Sequence, residues 1–361
     1  MKKLIYIIIA STLALAACEK TLDFPFEYKQ PKLVLNCVLS NTSEIEFTVS
    51  RSMHILDTKE IVMIPDADVI IFEDDKPLQV VPVSDGEGNY HAAYIPKVGH
   101  TYKFQVSKDN FATIEAEVKM TSPTVINSLS GKQKSNEDGY YYGDEFDVNL
   151  NFNDILNEEN YYMIYVTSDF PAEMKEYFAE NYMYSVENLF DKNYTLNLEC
   201  NDISVSSGYE GTLLYLADEI ISGENYTIKF SAQDYRDIRG IFYGLIYQDD
   251  EYYNYKDGGE GEEGEGEENE DDDEGESIED LPFYREYEYR LVVHLRSVNK
   301  DYYQYQKSYD LYVENDGNPF AEPTLVKTNI KNGLGILGAA GEVTDTIKFI
   351  IKNPYLEEEE E

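Results

Sequence analysis

The side chains that could do chemistry are plentiful in this sequence, but they do not form a catalytic pattern. The four histidines, His54, His91, His100 and His294, lie far apart, and none belongs to the H-E-x-x-H spacing that places two imidazoles on one zinc ion. The sequence contains no G-x-S-x-G nucleophile turn, no P-loop and no dinucleotide-binding glycine fingerprint. Because it holds 71 acidic residues, sequence cannot select the carboxylate pair that a glycosidase needs. We therefore predict no catalytic residue, no metal and no cofactor, with a glycan or peptide hydrolase as an alternative.

One cysteine stands in a context with a definite chemistry. Lys2 and Lys3 precede an apolar run that ends in Leu15-Ala16-Ala17-Cys18. A basic start, a short apolar run and small residues before the cleavage point are typical of a secretory signal, and a cysteine at the first mature position is typical of a bacterial lipoprotein signal. We expect cleavage between Ala17 and Cys18 and acylation of Cys18, palmitate included, because two or more acyl chains anchor a protein stably. The alternative is a plain signal followed by a chance cysteine.

The residues after Cys18 bear on where the anchored protein faces. Glu19 and Asp23 follow closely, and acidic residues there resemble the export signals of Bacteroidetes surface lipoproteins, although Lys20 and Thr21 dilute the pattern. No later stretch approaches the roughly 20 apolar residues of a membrane-spanning helix. The predicted location is the outer membrane, by lipid anchor, with the protein facing the cell exterior.

Cys37 and Cys200 are the other two cysteines. A disulfide between them is compatible with an oxidising compartment. Cys37, however, shares one side of an alternating strand with Leu33, Leu35 and Leu39, which is the position of a small core residue. We favour two free thiols, and there is no cysteine pair at zinc-site spacing.

The net charge of -42 is concentrated in two segments. Residues 257–280 contain 15 acids and no base, and residues 357–361 are all Glu. A field of this sign repels polyanions, so nucleic acid is not an expected partner. Residues 257–280 cannot bury enough apolar surface to fold and are predicted to be a disordered acidic loop. It is either a solvated insertion or a weak cation binder, and it lacks the EF-hand spacing.

Short alternating runs separated by turn residues fill the first part of the chain. Seven strands at this spacing predict an immunoglobulin-like or transthyretin-like β-sandwich over residues 31–123, after a signal peptide at 1–17 and a tether at 18–30. The predicted strands are Leu33–Leu39, Ile45–Ser50, Ala67–Phe72, Leu78–Val83, Tyr90–Ile95, Thr101–Ser107 and Phe111–Lys119.

Residues 124–356 are predicted to form a second β-rich domain with helical insertions, followed by the acidic tail 357–361. Helices are expected over Pro171–Phe190 and Asp301–Glu314, the second with Tyr302, Tyr305, Tyr309 and Tyr312 on one face. Near the end of the chain, a glycine turn is expected between Leu337 and Thr344. The predicted strands are Phe146–Phe152, Tyr161–Thr167, Tyr194–Leu198, Asn225–Ser231, Tyr287–Val298, Asn329–Leu337 and Thr344–Ile351.

Tyrosine is unusually frequent, with 33 residues and no Trp. The clusters begin at Tyr140, Tyr161, Tyr252 and Tyr302. Tyrosine suits binding faces because it joins an apolar ring to a polar tip, and it also fills half-buried strand positions. Both interpretations stay open, although the Tyr302–Tyr312 face is predicted to be core.

Several segments together resemble one family. They are Cys18-Glu19-Lys20, Pro31-Lys32-Leu33-Val34-Leu35-Asn36, Asp66-Ala67-Asp68-Val69 leading into Gly88-Asn89-Tyr90, Asn318-Pro319-Phe320-Ala321-Glu322-Pro323, and Asn329-Ile330-Lys331-Asn332-Gly333-Leu334-Gly335-Ile336-Leu337-Gly338. Over essentially the whole mature chain, the sequence resembles the Bacteroidetes lipoproteins catalogued as domain of unknown function 4249. The resemblance implies an outer-membrane lipoprotein of the kind often encoded beside TonB-dependent receptors, and it implies no activity and no binding residues.

The functional prediction combines these observations. We expect a lipid-anchored surface lipoprotein that acts as a binding accessory to a TonB-dependent transporter, capturing a small-molecule, peptide or glycan nutrient. The alternative is a structural or adhesive protein that engages other proteins or host matrix through its Tyr-rich faces.

Overall fold

The structure is a computed structural model that describes residues 30–54, 60–134, 144–154, 159–181, 190–191, 193–217, 225–236, 281–316, 318, 320–322, 324–353 and 356. The predicted signal peptide, the lipidation and cleavage residues Ala17 and Cys18, the tether up to residue 29, the loop 257–280 and the tail 357–361 lie outside the described residues. The described residues form mainly strands, so the mainly β prediction is confirmed.

The described part of the chain contains seventeen strands and two α-helices. The helices are α1 (Ala172–Asn181) and α2 (Lys300–Glu314). The strands are β1 (Leu33–Ser40), β2 (Ile45–Arg51), β3 (Asp68–Glu73), β4 (Lys76–Pro77), β5 (Val83–Ser84), β6 (Asn89–Ala92), β7 (Thr101–Ser107), β8 (Ile114–Lys119), β9 (Ile126–Gln133), β10 (Asp144–Asn153), β11 (Tyr161–Asp169), β12 (Asn197–Glu199), β13 (Ser206–Ser207), β14 (Leu214–Ala217), β15 (Asn225–Asp234), β16 (Glu286–Val298) and β17 (Leu334–Lys352).

A nine-stranded sheet forms the centre of the fold, in the order β13-β14-β11-β16-β17-β1-β2-β6-β5. Two four-stranded sheets accompany it, with the orders β4-β3-β7-β8 and β12-β15-β10-β9. Within the nine-stranded sheet β17 pairs antiparallel with β16 and parallel with β1. Among the described residues, the last strand is therefore hydrogen-bonded to the first.

The two smaller sheets cover the same face of the large one, and the alternation along β17 shows this. Leu337 and Ala339 belong to the first core, with side chains of β1, β2, β6, β7 and β8. Ile351 belongs to the second core, with side chains of β10, β11, β15 and β16, and Ile347 and Phe349 pack against it. Successive strand residues point to opposite faces, so these odd-numbered residues share one face. We call the opposite face of the nine-stranded sheet the open face.

Helix α2 packs on the open face rather than between the sheets. Its buried residues Tyr302 and Tyr303 form a third apolar cluster with Tyr161, Met163, Tyr215, Val298, Ile336 and Ala340. Tyr309 and Tyr312 are 43% and 49% exposed. The prediction that these two share a buried helix face with Tyr302 is therefore wrong: α2 buries its first turn and leaves its last turns in solvent.

Two further predictions about local structure are wrong. No turn interrupts the chain between Leu337 and Thr344, because β17 runs without a break over nineteen residues. Its glycines permit close packing instead: a Cβ on Gly338 would lie 2.8 Å from Cγ of Tyr302. The predicted strand Leu78–Val83 is replaced by two-residue strands on either side, and Pro77 and Pro82 explain this because proline has no N–H to donate.

The first core draws residues from both ends of the chain. Ile330, Leu337 and Ala339 join the β-sandwich side chains of residues 33–120. The nine-stranded sheet also continues from the first core into the second. The proposed division at residue 123 remains a prediction, and the two parts share β17.

Helix α1 occupies the first half of its predicted range, and residues 182–189 lie outside the described residues. Met174 and Phe178 of α1 are buried in the second core. No helix among the described residues is long and apolar enough to cross a membrane.

Candidate functional site

The open face carries the polar groups that are arranged in rows. Its backbone is fixed by ladder hydrogen bonds on both sides, so a side chain on an inner strand keeps its position relative to its neighbours. Three features stand on this face: helix α2, a cluster of aromatic and charged side chains on β11, β16 and β17, and a groove on β1, β2, β6 and β5. The cluster is more buried than the groove.

The cluster is centred on Glu342, whose side chain is 9% exposed. His294 Nδ1 lies 2.9 Å from Glu342 Oε1, and Arg296 Nε donates to Oε2 at 2.5 Å. The ring of Tyr165 stacks on the imidazole of His294 with centroids 4.2 Å apart and 11° between the planes. Arg296 lies 4.5 Å from the same Tyr165 ring and donates to its hydroxyl at 2.8 Å. Three strands are thereby joined by side chains as well as by their ladders.

The charge of Glu342 is held in place by its neighbours. Burial raises the pKa of this carboxyl, but hydrogen bonds from His294 and Arg296 and the charge of Arg296 outweigh it and lower the pKa from 4.5 to about 2. The main chain is fixed too, since Asn41 accepts from Glu342 N at 2.6 Å and donates to Glu342 O at 3.2 Å. Because its carboxylate is already ion-paired, this cluster is suited to holding the three strands together and not to proton transfer.

The groove lies beside the cluster on the N-terminal half of the open face. Its volume is about 610 Å³, within the range of roughly 300–1,000 Å³ usual for ligand pockets. It is lined by Asn36, Glu46, Phe47, Thr48, Val83, Ser84, Asp85, Asn89, Tyr90 and His91. Phe47 and Tyr90 point their rings into the first core, where they stack on each other. The polar side chains that face the groove are those of Asn36, Glu46, Thr48, Asn89 and His91, and Val83 adds an exposed apolar one.

The polar groups form two rows across neighbouring strands. Asn36 of β1 pairs with Thr48 of β2, and Thr48 pairs with Asn89 of β6. In the second row Glu46 pairs with His91. Neighbouring strands are about 4.8 Å apart and alternate residues about 6.7 Å apart along a strand, so the groove floor is a grid of hydrogen-bonding groups.

Two edges bound this grid. On one side the Tyr305 hydroxyl of α2 donates to Asn36 Oδ1 at 3.4 Å, and Tyr305 stacks on Tyr309 with ring centroids 6.2 Å apart and 6° between the planes. On the other side Asp85 is fixed in a turn, because its carboxylate accepts from Glu87 N at 2.7 Å and from Asn89 Nδ2 at 2.5 Å. An aromatic pair and an acidic turn thus face each other across the floor.

A second cavity of about 650 Å³ lies on the outer face of the sheet β12-β15-β10-β9. It is lined by Lys134, Asp147, Asn149, Glu199, Asn201, Asp202, Thr227, Lys229 and Ser231, among others. The asparagine side chains near this cavity hydrogen-bond to one another. Asn127 Nδ2 lies 2.6–2.9 Å from the side-chain oxygens of Asn151, Asn153 and Asn225. Among the described residues that line this cavity, Phe230 is the only aromatic one, and it is buried.

One buried ion pair lies away from both cavities. Asp234 is fully buried and accepts from Arg236 Nε at 2.8 Å, from Arg236 Nη2 at 2.5 Å and from the Tyr289 hydroxyl at 2.8 Å. Arg236 also stacks on Tyr194 at 4.2 Å. Asp144, also buried, is the cross-strand neighbour of Asp234. This group closes one end of the second core.

The residues singled out from sequence are not brought together. His91 pairs with Glu44, His100 with Asp74 and His294 with Glu342, each in a different part of the fold. Cys37 is buried and Cys200 partly buried, and both are free thiols, as favoured from the sequence. Among the described residues no group of three His, Cys, Asp or Glu side chains could hold a metal ion.

Sequence reasoning missed the groove and the Glu342 cluster. Asn36 and Glu342 come from opposite ends of the chain, and only the parallel pairing of β1 with β17 places them on one sheet face. A local signal did exist for the groove, because Asn36, Glu46 and Thr48 are the polar members of alternating strands whose apolar members were recognised. That signal identifies solvent-facing residues without showing which of them meet.

Comparison with known proteins identifies a family and also finds distantly similar solved structures. Residues 19–346 match the family model described as "Domain of unknown function (DUF4249)". No curated protein matches this chain. Among solved structures, one match is titled "Biofilm associated protein - B domain", with 11% sequence identity and a TM-score of 0.21 over 87% of this chain and 85% of that chain. A TM-score this low does not establish a common fold, and nothing about this chain is concluded from it.

Proposed function

The chain belongs to the DUF4249 family, whose model matches residues 19–346, and from this premise we propose that it is a lipid-anchored outer-membrane protein facing the cell exterior. We further propose that it acts as a binding accessory to a TonB-dependent transporter in nutrient capture. The anchor would be Cys18, the last residue of Leu15-Ala16-Ala17-Cys18. Acyl chains on this residue would hold the body at the membrane through the tether that precedes β1.

The observation that carries the binding role is the groove on the open face. Its floor stands on four hydrogen-bonded strands and presents side chains that do not contribute to either core. A concave surface with apolar area and a few fixed polar groups is the usual form of a small-ligand site. Such a site can take a solute from solution and release it to a partner without any chemical step.

The contact with a partner protein is supported by a second surface. The last turns of α2 and the segment that follows expose Leu311, Tyr312, Phe320 and Leu325 at 48%, 49%, 95% and 82%. Exposed aromatic and aliphatic side chains grouped in this way are typical of protein contact surfaces. The same observation favours the alternative function, in which the protein is a structural or adhesive component that binds other proteins or host matrix.

The anchor is tested by expressing the full chain and the Cys18→Ser variant in the native host. We expect peptide mass spectrometry to find acyl chains on Cys18, and Cys18→Ser to leave the membrane fraction. Protease treatment of intact cells should degrade the wild-type chain if it faces outward. An unmodified Cys18, or a chain that survives in intact cells and is cleaved only after lysis, would contradict this part of the proposal.

The partner is tested by crosslinking intact cells and purifying the tagged full chain. Enrichment of a β-barrel transporter with the wild-type chain, lost with Phe320→Ala and Tyr312→Ala together, would support the accessory role. Thr227→Val, on the outer face of the second four-stranded sheet, is the matched control. Purification of self-assembled oligomers or of matrix proteins in place of a transporter would favour the adhesive alternative.

A further inference from the structure

The groove on the open face restricts its ligand more narrowly than a general binding role does. Its floor strands β1, β2 and β6 lie inside the sheet, where neighbouring strands take their backbone groups, and β5 at the rim is the edge strand. An extended peptide binds a sheet by adding to an edge, where backbone N–H and C=O groups are free. The floor therefore offers a ligand side-chain groups rather than free backbone groups, and strand pairing would take place at the β5 edge, outside the floor.

Three floor groups remain available for such a ligand. Asn36 Oδ1 receives the Tyr305 hydroxyl at 3.4 Å, which leaves its amide N–H₂ to donate. Within the described part of the chain, no side chain or backbone group hydrogen-bonds to the Thr48 hydroxyl or the Glu46 carboxylate. An amide, a hydroxyl and a carboxylate together provide both donors and acceptors. Groups about 4.8 and 6.7 Å apart can engage hydroxyls on one sugar ring and on its neighbour.

The aromatic edge adds an apolar plane next to these groups. Tyr309 is 43% exposed and is parallel to Tyr305, whose hydroxyl touches the groove floor. A tyrosine ring presents an apolar face and a polar tip. Sugar rings have the complementary construction, with a face of C–H groups and an edge of hydroxyls. An aromatic ring can therefore contact the C–H face of a sugar while the polar side chains of the floor bond its hydroxyls.

Charge selects among saccharides. The groove contains Glu46 and Asp85, and its one histidine, His91, lies 2.5 Å from Glu44. Glu44 thus adds a third carboxylate next to the groove. An acidic glycan or a polyphosphate would be repelled by this field. We propose that the groove binds a neutral oligosaccharide, with Asn36, Thr48 and Glu46 bonding its hydroxyls and the Tyr305–Tyr309 pair contacting a ring face; this inference rests on the binding role proposed above.

The test is calorimetric titration of the full-length chain in a zwitterionic detergent that has no sugar head group. The probes are maltohexaose, xylohexaose, mannohexaose and laminarihexaose, with hexagalacturonate and a neutral six-residue peptide as comparisons. We expect one or more neutral oligosaccharides to bind, and hexagalacturonate and the peptide not to bind. Binding of hexagalacturonate or the peptide alone, or of none of the probes, would overturn the proposal.

Matched variants locate the site. Thr48→Val keeps the side-chain shape and Tyr309→Ala removes an exposed ring, so each should weaken binding about five- to tenfold, the effect of one lost hydrogen bond or stacking contact. Thr227→Val and Tyr235→Ala, which removes an exposed ring next to the end of β15, are the controls and should leave affinity unchanged. Equal weakening by the controls would place the ligand elsewhere.

Hydrogen exchange of the wild-type chain gives a reading that does not depend on variants. The bound sugar should slow exchange in β2 and β6, and protection confined to other strands would contradict the assignment. Failure of sugar binding would leave the acylation and crosslinking results unaffected. Conversely, an unacylated chain could still bind the sugar, so the two proposals fail separately.

Discussion

His294 Nδ1 lies 2.9 Å from Glu342 Oε1, and this contact joins the two longest strands of the fold across their shared ladder. The carboxylate is buried beside Arg296 as well. Since Glu342 follows Gly341 in the middle of β17, the contact sits where the last strand passes from the first core to the second. Loss of this contact should therefore reduce the stability of both cores.

Glu342→Gln should destabilise the protein at neutral pH. The carboxyl has a pKa of about 2 in the folded state against an ordinary 4.5, so its ionised form favours folding by roughly 3 kcal/mol, at 1.36 kcal/mol per pKa unit. A depressed pKa contributes stability above the unfolded value, and this contribution is lost as pH falls through about 4.5 towards about 2. Urea unfolding should show a large difference in the free energy of unfolding between wild type and variant at neutral pH, and less than half of that difference at pH about 3.

The control for this measurement is Glu117→Gln, which removes the same charge from an exposed position on β8. We expect little change in the free energy of unfolding, since isolated surface charges contribute about 0–1 kcal/mol. If the gap between wild type and Glu342→Gln did not depend on pH, the ion-paired state of Glu342 would be excluded.

Arg236→Met should be among the most destabilising substitutions in the second core. It would leave Asp234 as a fully buried carboxylate without its guanidinium, and breaking a buried ion pair costs about 3–5 kcal/mol. Asp234→Asn combined with Arg236→Met removes both charges and should recover much of that loss. Urea unfolding of the four proteins of this double-mutant cycle measures the coupling, and a coupling near zero would show that the pair is not held as described.

The sequence was informative where side chains alternate and misleading where glycines cluster. Leu33, Leu35, Cys37 and Leu39 alternate over seven residues, and β1 forms there with all four buried. Gly338 and Gly341 indicate a turn by composition, yet both lie inside β17, pressed against Tyr302 and against the backbone of Ser122. Close packing and turn formation both require glycine, and only the tertiary partner tells them apart.

The candidate site could not be predicted from the sequence, for a related reason. The row Asn36, Thr48 and Asn89 depends on the registers of three strands, and a shift of one residue would turn each side chain to the other face. The placement of α2 beside this row follows from its packing on Met163 and Ala340. Local periodicity predicts a helix at α2 but not the sheet face it covers.

The two described cysteines should differ in their reaction with iodoacetamide. Burial raises the pKa of both thiols, but Cys37 lies fully within the first core while Cys200 is partly exposed. Only the thiolate reacts, and it must be reached by the reagent. Peptide mass spectrometry of the native protein should find Cys200 labelled well before Cys37, and both labelled in urea without reductant. Protection of both in urea would indicate a disulfide and contradict the free thiols.

Gly338→Ala should loosen α2 from the open face. The added Cβ would lie 2.8 Å from Cγ of Tyr302, 3.0 Å from its Cβ and 3.1 Å from its Cδ2. Because Tyr302 is buried against Ile336 and Ala340, its ring has no room to retreat, and overpacking of this kind costs about 1–3 kcal/mol. Urea unfolding should show that loss of stability. Hydrogen exchange in α2 should be faster in the variant than in wild type, whereas exchange in β7 should be unchanged.

The comparison with Tyr302→Ala separates a local clash from general weakness of β17. Tyr302→Ala removes two of the three atoms that the new methyl group would meet, so Gly338→Ala should cost less than half as much in that background. A cost that is the same in both backgrounds would mean that the strand itself rejects the methyl group. In that case Gly338 would serve the ladder between β17 and β1, where it pairs with Val38, and the packing of α2 on the sheet would depend on the other members of its cluster, among them Met163, Ile336 and Ala340.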